Sequence, residues 1–312
     1  MKNAYFIILG GGGGERLWPL SRKRRPKQFL KFLDNRTLLE HTIDRISPIA
    51  FEKENVWVVT NKDQVDLVKS FVGKKSGFIL DEPASRNTGP AVLYTCMKLQ
   101  KKDPNAIAVF LPADSFVVQN SLYQKYLIKA VEAASQNENI VTLGVMPTKA
   151  LTCYGYIQAK TNTKDKVDCD KIYDVVKFHE KPDQDLAKKY FVQNDMFWNI
   201  GVFVAKVSVF IEEFKKHSSN LFLSMQSFLD NKIEYKDISN ISVDYAVMEK
   251  SKKISILPCD FEWSDVGNLD IFLSLQQKIK KNINPNFIEI DSKNNLVKMN
   301  DSLGKKIIAF VG

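Results

Sequence analysis

The chain has 312 residues, of which 44% are hydrophobic and 26% charged. That balance fits a globular protein with one large core and excludes a fibrous or low-complexity chain. No apolar run reaches the length of a membrane span, so no membrane partner is expected. Cys96, Cys153, Cys169 and Cys259 form no CxxC pair, and a reduced, cytoplasmic chain is the simplest expectation. The net charge of +9 favours anionic partners. Its one dense cluster is Arg22-Lys23-Arg24-Arg25, with Lys27 close behind.

The first apolar run, residues 4–9, predicts a strand that leads straight into Gly10–Gly14. It is too short for the core of a secretion signal. Further strands are expected over 55–60, 106–111, 140–145, 201–205 and 253–257, with a short strand-like run at 78–80. Helices are expected over 37–46, 63–71, 89–101, 122–135, 184–194, 208–217 and 244–250. This alternation predicts an α/β fold: a Rossmann-like, mostly parallel sheet with helices on both faces. Ligands in such folds sit at the carboxyl ends of the strands. After residue 282 the pattern changes to Asn-rich turns between short strands at 286–291, 295–299 and 306–311. The expected division is therefore a main domain over 1–282 and a small C-terminal β appendage over 283–312, one option for pairing copies in a homo-oligomer.

Five consecutive glycines leave main-chain N–H groups open to a bulky anion, because no Cβ blocks the approach. A dinucleotide fingerprint lacks its third glycine, since the candidate positions are Glu15, Arg16 and Leu17. A Walker-type loop requires Gly-Lys-Ser/Thr, and here the chain reads Gly-Glu-Arg. A flexible turn is the bland alternative. The residues after the glycines are more specific: Arg16-Leu17-Trp18-Pro19-Leu20-Ser21-Arg22, then Pro26-Lys27-Gln28-Phe29-Leu30. Further strings come in order along the chain: Arg86-Asn87-Thr88-Gly89-Pro90-Ala91, Leu111-Pro112-Ala113-Asp114, Tyr154-Gly155-Tyr156-Ile157, Phe178-His179-Glu180-Lys181-Pro182, Trp198-Asn199-Ile200-Gly201, Asp244-Tyr245-Ala246-Val247-Met248-Glu249 and Trp263-Ser264-Asp265-Val266-Gly267. With these strings the chain resembles the mannose-1-phosphate guanylyltransferases (GDP-mannose pyrophosphorylases) of the sugar-nucleotide pyrophosphorylase family, from about Tyr5 to Leu273.

The resemblance implies transfer of a guanylyl group from GTP to mannose 1-phosphate, giving GDP-mannose and pyrophosphate. A phosphate monoester is already ionised at neutral pH, so the chemistry calls for cations and positioning rather than an activated nucleophile. Arg16 is expected on the departing phosphates, where a guanidinium fork fits, and Lys27 resembles the family lysine that reaches them. One of Arg22–Arg25 is expected to help. Asp114, closing a strand, and Asp265 match the two carboxylates that hold Mg²⁺ in the family; taken singly, each reads as a turn or cap aspartate. The nucleotide is expected on Gly10, Gly11, Gly12 and Gly14, with Glu82, Arg86, Asn87 and Gly89. One carboxylate at Glu82 accepts both N1–H and N2–H₂ of guanine. Arg86 and Asn87 either contact base and ribose or shape their turn. Gly155, Glu180, Lys181 and Asn199 are expected around the sugar phosphate.

Three positions depart from the family pattern: Gly13 replaces a hydroxyl residue, Cys153 a glycine, and Ile200 a serine. The last two lie on the sugar side and leave fucose, glucose or heptose 1-phosphate as alternatives. A non-catalytic sugar-nucleotide sensor is a further alternative. No nucleic-acid recognition module is present, so no nucleic-acid partner is expected. The tail resembles only the start of the family's β-helix, and no isomerase activity is expected.

Overall fold

The computed structural model describes residues 1–31, 34–73, 75–161, 167–269, 271–273, 275, 287–290 and 308–311. In chain order the first half runs β1 (Ala4–Leu9), α1 (Leu38–Ile46), β2 (Val56–Asn61), α2 (Val65–Val72), β3 (Phe78–Glu82), α3 (Thr88–Lys102), β4 (Ile107–Pro112), β5 (Phe116–Val117), α4 (Asn120–Gln136) and β6 (Ile140–Val145). The second half runs β7 (Tyr156–Ala159), β8 (Tyr173–His179), α5 (Gln184–Phe191), β9 (Met196–Lys206), α6 (Val207–His217), α7 (Ser219–Leu229), β10 (Ile254–Cys259), β11 (Trp263–Ser264), β12 (Phe287–Ile290) and β13 (Ile308–Val311).

Strand β1 shows why the sheet is covered twice. Phe6 and Ile8 enter a core lined by α1, α2, α4 and α5. Tyr5 and Ile7 point the other way, into a core lined by α3, α6 and α7. Side chains alternate across a strand, so a strand buried on both faces reads as one continuous apolar run. Helix α1 opens on a capping box in which the Thr37 side chain accepts from Glu40 N and Glu40 accepts from Thr37 N, which satisfies donors the first turn would otherwise leave free.

The class is the expected α/β one, and the sheet within it is mixed. Its order is β3-β2-β1-β4-β9-β6-β10-β8-β7. Strands β3, β2, β1 and β4 are parallel, as are β6 and β10. The long β9 runs antiparallel between β4 and β6, while β8 and β7 continue antiparallel beyond β10. Strand β7 also pairs with β9, so β9, β6, β10, β8 and β7 close on themselves. Strands β7 and β8 and the first half of β9 escaped the sequence pattern because polar residues interrupt them: β8 alternates exposed and half-buried positions. The expected helix over 244–250 is instead a single π-helical turn, Asp244–Met248, with Glu249 N donating to Asp244 O at 3.0 Å. Helix α7 was not anticipated; it is apolar at most positions, so no stripe marks it, and it buries Leu221 and Met225. Among the tail strands, β12 and β13 pair in parallel. The strand expected over 295–299 and the boundary at 282/283 lie outside the described residues. No described helix is long and apolar enough to cross a membrane.

The closed strand group is tightly filled. A Cβ at Gly144 on β6 would lie 2.6 Å from Ile256 Cδ1 and 2.8 Å from Phe197 Cβ. Gly144→Val should therefore overpack this interior and lower stability by about 1–3 kcal/mol. Urea denaturation checks this: the midpoint falls while the slope stays at its wild-type value.

Candidate active site

Strand β1 has β2 on one side and β4 on the other. The winding reverses between β1 and β4, and a crevice opens at their carboxyl ends. Register pairs Leu9 with Pro112, so the glycine turn after β1 faces Ala113 and Asp114 after β4. The turn is braced from beneath. Buried Gln28 donates from Nε2 to Gly10 O at 2.6 Å and to Gly12 O at 3.0 Å. Gly10 N donates to Val59 O at 2.8 Å. Among the described residues no acceptor takes the N–H groups of Gly11 to Gly14, which leaves a row of donors open to an anion. Gly14 has φ +66°, and a Cβ there would come within 2.8 Å of Lys27 N; this position requires glycine.

Asp114 and Asp265 are brought together by a two-stranded antiparallel ladder. Strand β5 pairs with β11, Phe116 opposite Ser264 and Val117 opposite Trp263. Continuing that register sets Asp265 beside Ser115, next to Asp114. Lys27 lies between them: Nζ pairs with Asp114 Oδ2 at 2.7 Å and donates to the Asp265 carbonyl. The Tyr154 hydroxyl donates to Asp265 Oδ1 at 2.7 Å. Burial, with the Asp265 charge beside it, pushes that hydroxyl well above its ordinary range, so it remains a donor. A separate apolar cluster secures these segments: Leu17, Leu30, Phe116 and Val266 pack together with Leu38, Phe272 and Leu273. Each of the first four follows a charged site residue by one to three positions. Val266 is held at φ +49°, a strained setting for a β-branched residue, with its N–H on Ser264 Oγ at 3.1 Å.

Three cavities meet at Asp114. One, of about 300 Å³, is lined by Gly10, Gly11, Gly12, Gly14, Glu82 and Asn87 among others. Glu82 closes its inner end, and a Cβ at Gly11 would come within 3.3 Å of Glu82 Oε2. The other oxygen, Oε1, accepts from Tyr235 OH at 2.7 Å. Burial pushes the Glu82 carboxyl up to about 7, against the Tyr235 hydrogen bond, which lowers it. A second cavity, of about 640 Å³, is lined by Gly13, Gly14, Arg16, Lys27, Asp114 and Asp265 among others. Arg16 is exposed there and makes no ion pair among the described residues.

The third cavity, of about 260 Å³, carries Cys153, Gly155, Glu180, Asn199, Ile200 and Asp244, with both acids of the ladder at its rim. Gly155 makes room for Glu180: a Cβ would lie 2.5 Å from Glu180 Oε2. Asn199 is aimed by a bulge in β9, where the register with β6 shifts and Gly201 takes φ +72°. Its Oδ1 accepts from Gly201 N at 2.9 Å and its Nδ2 donates to Asp244 Oδ1 at 3.0 Å. Burial first, and then the charge of Glu180, push Asp244 upward. Lys181 pairs with Glu180 Oε1 at 2.7 Å from a backbone at φ +49°.

Most of the sequence-selected residues thus surround one cleft. Arg86, Gly89 and Lys181 stand outside its lining. Arg86 donates to the Lys236 carbonyl, and Gly89 packs under Ile241, where a Cβ would meet the carbonyl oxygen at 2.6 Å. Arg22–Arg25 form an exposed turn, closed by Arg22 N on Arg25 O and Arg25 N on Arg22 O; none of the four lines the cleft. Sequence reasoning missed Gln28, Tyr154, Tyr235 and Asp244. Three of them stand within the family-like strings, where no role was assigned to them. Tyr235 lies in none, and no signal marked it. Among the described residues no three His, Cys, Asp or Glu side chains cluster as metal ligands.

The nucleotidyl transferase family model matches residues 5–282. Mannose-1-phosphate guanylyltransferase 2 of Escherichia coli O157:H7 is 33% identical over 93% of this chain and 64% of its own length. The alginate biosynthesis protein AlgA of Pseudomonas putida is 37% identical over 84% of this chain and 56% of its own. The chain thus spans about three-fifths of the length of these curated relatives. A solved structure described as mannose-1-phosphate geranyltransferase from Thermus thermophilus superposes with a TM-score of 0.79 at 30% identity, covering 93% of this chain and 85% of that one.

The raised Glu82 value carries a stability consequence. Its carboxyl titrates at 4.5 when solvated and at about 7 when folded, so the folded state holds the proton longer than the unfolded one. Wild-type stability relative to Glu82→Gln should be greatest below pH 4.5 and fall by about 3 kcal/mol as pH rises through 7. Urea melts of both proteins at pH 4.5 and pH 8 check this; equal differences at the two pH values would remove the assignment.

Proposed function

The chain belongs to the nucleotidyl transferase family, and on that premise we propose that it transfers a guanylyl group from GTP to mannose 1-phosphate with release of pyrophosphate. The observation that carries this reading is the meeting of a base-sized cavity, an open amide row and a polar third cavity at the Lys27–Asp114 ion pair. Guanine enters the first cavity with N1–H and N2–H₂ directed at Glu82. Adenine and the pyrimidines lack that pair of adjacent donors, and they leave a buried carboxylate unmatched. The triphosphate lies along the amides of Gly11 to Gly14, with Arg16 over the departing phosphates. The sugar occupies the third cavity, its hydroxyls on Glu180 and Asn199, with Lys181 directed at its phosphate.

An oxygen of the sugar phosphate attacks the α-phosphorus in line. The P–O bond to the β-phosphate breaks, and pyrophosphate leaves with the electron pair. The attacking group is already an anion, so no side chain removes a proton. Lys27, Arg16 and the amide row offset the charge on the two reactants. Asp114 and Asp265 would hold Mg²⁺, since carboxylate oxygens suit a hard cation. Bound there, it would supply positive charge against the repulsion of the two reactants.

A matrix of GTP, ATP, UTP and dTTP against mannose, fucose, glucose and heptose 1-phosphates tests the reading, with pyrophosphate release as the signal. GTP with mannose 1-phosphate should exceed every other pair. A different best sugar would revise the acceptor, and a different best nucleotide would sink the role of Glu82. Asp114→Asn should lower kcat by about 100-fold or more, as expected when a transition-state charge contact is lost. Unchanged turnover would remove Asp114 from the mechanism, and a wild type without turnover on any pair would favour a sensor.

A further inference from the structure

Arg45 is a buried cation that pairs with no acid among the described residues. It stands in the last turn of α1 and is 4% exposed. Nε donates to Asn120 Oδ1 at 3.0 Å, Nη2 donates to the Ser115 carbonyl at 3.4 Å, and the guanidinium lies 5.4 Å from the centre of the Tyr123 ring. Burial pulls its pKa down, opposed by Tyr123 and by no carboxylate among the described residues. Such a charge is costly to bury, and an apolar side chain of similar length would fill the space without that cost. Packing alone does not account for arginine here.

One turn earlier on the same helix face, buried Thr42 donates Oγ1 to the Ala113 carbonyl at 3.4 Å. Residues three apart on a helix share a face. Helix α1 therefore grips the carbonyl of the residue before Asp114 with a neutral hydroxyl and the carbonyl of the residue after it with a cation. Hydrogen bonds from a charged donor are the stronger kind. The Arg45 carbonyl in turn accepts from Gln124 Nε2 at 2.6 Å, which ties this corner to α4.

We propose that Arg45, assisted by Thr42, is a positioning residue that clamps the segment 113–115 at both ends and so aims the Asp114 carboxylate at Asp265 and Lys27. Thr42 holds the peptide plane that enters Asp114, and Arg45 holds the plane that leaves Ser115. With both ends drawn toward α1, the one peptide between Asp114 and Ser115 has little room to turn, and Asp114 keeps one orientation. This inference rests on the reading of Asp114 as a holder of a divalent cation.

The test uses the full chain without nucleotide and titrates Mn²⁺, read by the electron paramagnetic resonance of the free ion. Arg45→Met should weaken Mn²⁺ binding by about 10-fold or more, the usual effect of losing an outer-shell partner. It should also lower kcat with little change in KM for GTP. Arg45→Lys keeps the charge and one donor and should recover the larger part of the loss. Should Arg45→Met fail to fold by near-ultraviolet circular dichroism, Thr42→Val carries the same test, with binding weakened by about threefold to tenfold. A wild type that binds Mn²⁺ and turns over, alongside folded variants that match it in both, overturns the positioning role and leaves the function standing. A wild type that neither binds Mn²⁺ nor turns over removes both.

Discussion

The short antiparallel pairing of β5 with β11 is the constraint on which the site depends. It joins the loop after β4 to a segment far along the chain and sets Asp114 and Asp265 side by side. A ladder of this length has little stability of its own. Its support comes from the side chains around it: Phe116 from β5 and Val266 from beyond β11 are buried against Leu17 and Leu30. The residues that anchor the four charged segments therefore form one apolar cluster, and displacing any one of them disturbs the other three.

The cleft gathers like and unlike charge in a way that a stable core would avoid. Lys27 joins a carboxylate and a main-chain carbonyl. Glu82 and Asp244 are both pushed upward by burial. Val266 and Lys181 hold positive φ angles, and the amides of Gly11 to Gly14 are open. The two buried carboxyls are of the kind that a hydrogen-bond donor satisfies, and the open amides of the kind that an anion satisfies. Strain and unsatisfied polarity concentrate where a ligand completes the structure.

Legibility in the sequence followed periodicity and chemistry unevenly. The parallel strands were readable because both faces are buried and the residues are β-branched. Strands β7, β8 and the first half of β9 were not, because polar residues interrupt the apolar runs there, and Asn199 and Gly201 sit in a strand at its bulge. The turn at 244–248 looked helical by its apolar residues, and its wide hydrogen bonding leaves no trace in composition. At the site, residues with distinctive chemistry stood out: the glycines, Arg16, Lys27 and the two aspartates. Supporting residues did not. Gln28 and Tyr154 act through contacts to segments distant in sequence, and a single chain offers no sign of them. The basic run at 22–25 was misleading for the opposite reason: charge density is visible in sequence, whereas direction is not.

Arginine at position 45 extends the same logic one layer outward. Asp114 follows a strand, a place where side-chain direction is loosely held, and on the cleft side its carboxylate meets Lys27 Nζ at 2.7 Å. Restraint of the main chain comes from behind, and α1 is the element behind. Thr42 alone would hold one carbonyl by a neutral bond, leaving the other free to turn. A cation on the second carbonyl closes that freedom, and the helix C-terminus, with its partial negative charge, is the end at which a buried cation costs least. The placement of Arg45 in the last turn, rather than the first, follows from that.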